Sequence, residues 1–154
     1  MNIIAHGLWG VALTPKKDHK KHVEAIFWSV FPDLLWGWVT IPYLFFRDFG
    51  TDWTSSPSWF YHLYGLGHSV VIWLAVGGTL FAVRRFRWPM LFWLFHIVVD
   101  ILGHTSFSTP FLYPLSRFSW TSPFSWTDLA PETLSFFIPV AVIAWKYRLM
   151  PRRL

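Results

Sequence analysis

Apolar positions along this chain fall into blocks instead of alternating with charge. Four blocks approach the roughly 20 residues a helix needs to cross a hydrocarbon core: Val23–Phe46, Phe60–Val83, Trp88–Leu102 and Leu134–Leu149. A fifth piece, Ile3–Leu13, is too short to span alone. Within the blocks no strict alternation marks a strand, so the pattern predicts an all-α fold. The expected architecture is an integral membrane helical bundle in one domain, residues 1–154, with four main transmembrane helices and a short N-terminal helix.

Composition sharpens that picture. Apolar residues make up 54% of the 154 and charged residues 14%, well under the roughly 25% charged of an average soluble domain. Twelve Trp and sixteen Phe suit a bundle anchored at the headgroup level. The opening "MNIIAHGLWGVALTP" has no basic stretch and no small-residue cleavage site, so it does not read as a removable signal peptide.

The net charge of +5 is distributed as a topology signal, not as a nucleic-acid stripe. Eleven of the thirteen Lys and Arg lie in "PKKDHKKH" (15–22), in "RRFR" (84–87) and after residue 145. Only Arg47 and Arg117 lie elsewhere. The positive-inside rule then places the three basic clusters, and the C-terminus, on the cytoplasmic side of the cell's inner membrane. Loops 47–59 and 103–133 face outward. They carry Trp53, Trp59, Phe107, Phe111, Tyr113, Phe118, Trp120, Phe124 and Trp126. Such loops read either as an aromatic belt or as a lid over a pocket.

Ionisable groups inside apolar helices mark function by default, because lipid does not solvate them. With no Cys, any metal must be held by His, Asp or Glu. His96, Asp100 and His104 recur every four residues and share one helix face if the helix continues through Gly103. That spacing suits a shared Zn²⁺ or Mn²⁺ ion, and it equally suits an interhelical hydrogen-bonding set. His68 lies roughly 12 Å below the outer end of its block and His96 roughly 9 Å below its own, so the two come level. If Ile3–Leu13 and Val23–Phe46 form a hairpin, His6 and Asp33 rise to nearly the same layer. Pro32 is expected to break the helix just before Asp33 and to open a hydrated cavity there. His6, Asp33, His68, His96 and Asp100 can therefore converge on one layer, and if that layer binds a metal, Asp100 or His104 can serve as general base or orienting group.

Other polar residues carry less. His19 and His22 belong to a solvated basic loop. His62 reads as an interface anchor before it reads as a ligand, and Ser69 as a helix-bonding residue before a nucleophile.

Taken in order, "AHGLWG", "FPDLL", "GHS", "HIVVD" and "TPFLYPLS" resemble the membrane-bound metal-dependent hydrolase family. The resemblance covers most of the chain as separate islands. It implies a divalent-metal site at His6, Asp33, His68, His96 and Asp100, and hydrolysis of a membrane-associated substrate. Depth near the outer leaflet favours a membrane lipid or lipid-linked ester or phosphoester. Two other classes stay open: a bis-His haem protein using His68 and His96, and a non-enzymatic protein using the polar layer for proton or ion passage or helix association. No nucleic-acid motif is present, and the oligomeric state is not legible.

Overall fold

The computed structural model describes residues 1–46, 58–105, 108–126 and 128–148, all-helical apart from loops. Six helices follow in order: α1 (Ile3–Leu13), α2 (His19–Phe46), α3 (Ser58–Gly67), α4 (Val70–Ala82), α5 (Leu91–Gly103) and α6 (Leu129–Arg148). A single 3₁₀ turn, Trp88–Met90, leads into α5. Among the described residues there is no strand, only an isolated antiparallel bridge between Thr109 and Trp120. The expected positions Trp53 and Phe107, with Arg47, lie outside the described residues.

α1 occupies the predicted range and starts where the Asn2 side chain accepts from Ala5 N, satisfying one orphan donor of the first turn. It packs along α2, which also touches α3 and α5, while α6 leans on α1. The α1–α2 approach is close at Gly10, where an added Cβ would meet the Ala25 carbonyl at 3.0 Å. Large side chains fill the centre, including Phe60, Met90 and Ile97.

Several expectations are corrected. The block Phe60–Val83 is two helices, bent by 48° across His68 and Ser69. Ser69 caps α4: its Oγ accepts from Val71 N and Ile72 N and donates to the Phe111 and Tyr113 carbonyls. That work identifies it as a cap, not a nucleophile. Pro32 does not break α2; the helix runs on through it to Phe46, with Pro32 buried among its neighbours. α6 starts at Leu129, not Leu134. Glu132 sits in its first turn, donating its backbone N–H to the Asp128 carbonyl, and Pro131 fits where no backbone donor is required. His22 is buried, not solvated: its Nδ1 lies 3.0 Å from the Asp18 carbonyl, folded over the first turn of α2.

The three basic clusters meet at one end of the bundle. Arg87 pairs with Glu24, Lys21 lies over the Trp88 ring, and Lys146 donates to the Val11 and Thr14 carbonyls at the end of α1. The loop after α5 closes the other end. Ser122 Oγ donates to the Leu102 carbonyl, and Val70 N donates to the Phe111 carbonyl. The Trp126 indole occupies the space a side chain at Gly103 would need and donates to the Val99 carbonyl. The loop is thus a cover over the α3–α4 joint, while Leu115, Phe118 and Trp120 still project outward.

Among the described residues, Leu129–Arg148 is long and apolar enough to cross a membrane by itself, and Ser58–Gly67 with Val70–Ala82 meets the same test if the bent pair counts as one span. α1 and the segment Trp88–Gly103 are shorter apolar helices.

Candidate metal centre

Four of the five predicted ligands converge. Asp33 on α2, His68 at the α3–α4 joint, and His96 and Asp100 on α5 each offer one atom, all within 4.8 Å of one another. Five of the six edges of this cluster lie between 3.1 and 3.6 Å. His68 Nε2 lies 3.1 Å from His96 Nε2. Asp100 Oδ2 is 3.4 Å from the first and 3.2 Å from the second. Asp33 Oδ1 is 3.6 Å from both. A tetrahedron built on metal–ligand bonds of about 2.0–2.1 Å has edges of about 3.3–3.4 Å. The donor set therefore has the size of a four-coordinate divalent site and could hold such an ion.

The hydrogen bonds on the far side of each ring are more telling. His68 Nδ1 lies 3.1 Å from the Tyr64 carbonyl, and His96 Nδ1 lies 2.7 Å from the Ser29 carbonyl. Carbonyls only accept, so both Nδ1 atoms carry hydrogen, and each ring turns its Nε2 inward, with a free lone pair when the ring is neutral. Two bare lone pairs 3.1 Å apart repel, so either a proton or a metal ion must stand between the two nitrogens. A carbonyl behind each imidazole is the arrangement that fixes the tautomer and aims the ring in metal sites. Aromatic stacking restrains both rings further: Tyr64 lies on His68 with centroids 3.9 Å apart, and His6 on His96 at 3.7 Å.

His6 stands outside the four-atom cluster. Its Nε2 is 3.1 Å from Asp100 Oδ1, the oxygen facing away from the cage, and its Nδ1 is buried without a partner. Met1 N also donates to that oxygen, at 3.0 Å. Both oxygens of Asp100 are therefore engaged. His104 follows the last residue of α5 in extended backbone, so the helix face does not continue through it. Its ring still turns back, bringing Nε2 to 3.5 Å from Asp100 Oδ2, and it is the more exposed of the two. Asp33 is the most open of the four cage residues, its side chain 20% exposed. His62 lies midway along α3, exposed, with Nδ1 3.1 Å from Tyr113 Oη.

Backbone proximity is what lets these groups meet. An added Cβ on Gly67 would sit 2.9 Å from the Pro32 carbonyl oxygen and 3.2 Å from its Cα, so α2 and α3 touch main chain to main chain beside Asp33 and His68. The buried Trp93 indole locks the contact by donating to the Gly67 carbonyl at 2.6 Å. The signal for this was present in "YGLGHS", two small residues just ahead of the histidine. Gly67→Ala is expected to pry the helices apart, lowering stability by about 1–3 kcal/mol and weakening metal retention. Elemental analysis and thermal unfolding would check it against Gly78→Ala, whose Cβ meets nothing within 4 Å.

No protein-family model, curated protein or solved structure matches this chain.

Proposed function

We propose that this chain is a multi-pass inner-membrane protein of the metal-dependent hydrolase type, acting on a membrane-associated ester or phosphoester. The observation that carries the reading is the pair of imidazole Nε2 atoms 3.1 Å apart, each ring anchored from behind by a carbonyl, with two carboxylates completing a four-donor set. A metal cation can contact both imidazoles and both carboxylates at once, whereas a single proton between the two rings bridges only one pair of atoms. Two imidazoles with two carboxylates suit Zn²⁺ first and Mn²⁺ second.

Membrane placement is supported by an inverted distribution of polarity. His6, His68, His96 and Asp100 are buried, whereas Phe81, Phe137, Trp145 and Ile4 are exposed. Water would favour the opposite arrangement, and hydrocarbon favours this one. The meeting of all three basic clusters at one end supports a cytoplasmic location for that end and for the C-terminus.

A bound Zn²⁺ supplies Lewis acidity and brings a coordinated water's pKa to about 7. Asp100 is held by His6 on one oxygen and faces the cage with the other, so its role is that of a ligand. His104, with Nε2 3.5 Å from the cage oxygen of Asp100, is left as the group able to move a proton. Asp33, the most open donor at the longest distances, is the one to yield its position to substrate.

A second reading has a specific observation behind it. Four protein donors in a closed tetrahedron are the mark of a structural ion, here one that would clamp α2, α5 and the α3–α4 joint together. Protein purified without chelators separates the cases. One ion per chain, with phosphate or fatty acid released from lipid micelles and that release reduced about 100-fold or more by His104→Gln at unchanged metal content, upholds the hydrolase. One ion with no release upholds the clamp. Absence of stoichiometric metal retires both in favour of a proton-bonded polar layer.

A further inference from the structure

Beneath the outer loop lies a second polar feature that the metal centre does not use. A cavity of about 540 Å³ opens between the outer end of α3 and residues 108–119. Its wall carries Arg117, the His62–Tyr113 pair, and the hydroxyls of Ser58, Ser108 and Ser119. Among the described residues no Asp or Glu lines it, and Arg117 has no carboxylate partner. Tyr64 also lines the cavity, and the same ring lies flat on the metal-cage residue His68. The cavity and the cage thus share a wall.

We infer that this cavity binds the phosphate group of an anionic phosphate ester, with Arg117 as the principal contact and the His62–Tyr113 pair beside it. A guanidinium presents a planar fork of donors that matches phosphate oxygens in pairs. When Tyr113 Oη donates to His62 Nδ1, the other ring nitrogen keeps its hydrogen for a ligand. Ser108 Oγ donates to Ser119 Oγ at 2.8 Å, leaving the Ser119 and Ser58 hydroxyls as further donors, and the lack of acids in the described wall leaves the electrostatics favourable to an anion. Tyr113 is seated for this purpose by Gly65: a Cβ there would meet the Tyr113 ring at 2.9 Å. The placement also accounts for an oddity of the sequence, a lone Arg in a long aromatic loop far from the basic end. The volume lies within the roughly 300–1,000 Å³ of small-molecule sites, so it holds a phosphate with part of the group that bears it.

The inference deepens the hydrolase reading and rests on it for its catalytic consequence, selection of phosphoesters over neutral esters. Binding is tested without the ion. Full-length protein in detergent, stripped of metal by chelator, is titrated with inorganic phosphate by calorimetry. Saturable binding is expected, weakened about tenfold or more in Arg117→Ala and partly restored in Arg117→Lys. Because Arg117 is exposed and has no carboxylate partner among the described residues, its removal is expected to leave the fold intact, which an unchanged unfolding temperature confirms. No saturable binding, or equal affinity in Arg117→Ala, overturns the assignment. Phosphate binding that appears only with added Zn²⁺ and ignores Arg117 places the anion on the ion, which overturns this site and leaves the hydrolase standing. Arg117-dependent binding in a protein that never retains metal upholds this site and removes the hydrolase. Competition with mixed micelles gives the source: displacement by phosphatidic acid and not by phosphatidylcholine assigns a lipid headgroup, and displacement by neither assigns free phosphate, the anion site being upheld in both cases.

Discussion

An Asp100→Asn chain is expected to purify without its ion and to unfold at a markedly lower temperature. The substitution keeps the shape and removes the charge. Asp100 Oδ2 closes the cage against both imidazoles, and Oδ1 accepts from His6 and from Met1 N. Loss of a residue that merely orients a ligand typically costs 10–100-fold in metal affinity, so loss of a ligand is expected to cost at least about 100-fold. Removing one partner of a buried charged set costs about 3–5 kcal/mol. For a chain of this length that is a drop of roughly 6–20 °C. Elemental analysis and a thermal melt read the two effects separately. If the Asp100→Asn variant still holds one ion per chain, the four-atom cage is not the binding site.

Chelation of the native protein has the second-largest expected effect. With the ion gone, His68 and His96 face each other lone pair to lone pair across 3.1 Å, so the apo protein must take up a proton or let the helices part. At a thousandfold excess of metal over its dissociation constant, binding contributes about 4 kcal/mol, or roughly 8–16 °C in the melting temperature. Restoring Zn²⁺ should restore the melt. His68→Ala should abolish the difference between the two states. Equal melting temperatures with and without chelator would argue that the cluster holds itself together by hydrogen bonds alone.

Much of this site was legible from position counting. The rise per residue brought His68 and His96 level from opposite directions, and the structure places their Nε2 atoms in contact. The same counting brought Asp33 and His6 to the layer, but could not separate their roles. Whether a histidine reaches the cage or, like His6, spends its Nε2 on the outer oxygen of Asp100 depends on helix rotation and ring angle. The break at His68 was missed because the apolar run Phe60–Val83 continues across it. The clue was Ser69, a capping residue directly after the histidine. Pro32 misled in the other direction: a proline that usually kinks or ends a helix is tolerated inside α2, where its backbone packs against Gly67. The carbonyls of Ser29 and Tyr64 were invisible, since every residue has one and sequence does not say which are free to turn.

Those two carbonyls also govern how the centre tolerates change over generations. Their oxygens belong to the main chain, so exchanging the amino acids at 29 and 64 keeps both carbonyl anchors, although a change at 64 removes the ring stacked on His68. Inserting or deleting one residue between Ser29 and Asp33 is another matter. It swings one of them by about 100° relative to the other, and no compensating replacement elsewhere in α2 can turn it back. Homologous chains should therefore vary in letters there while keeping the length of that stretch fixed.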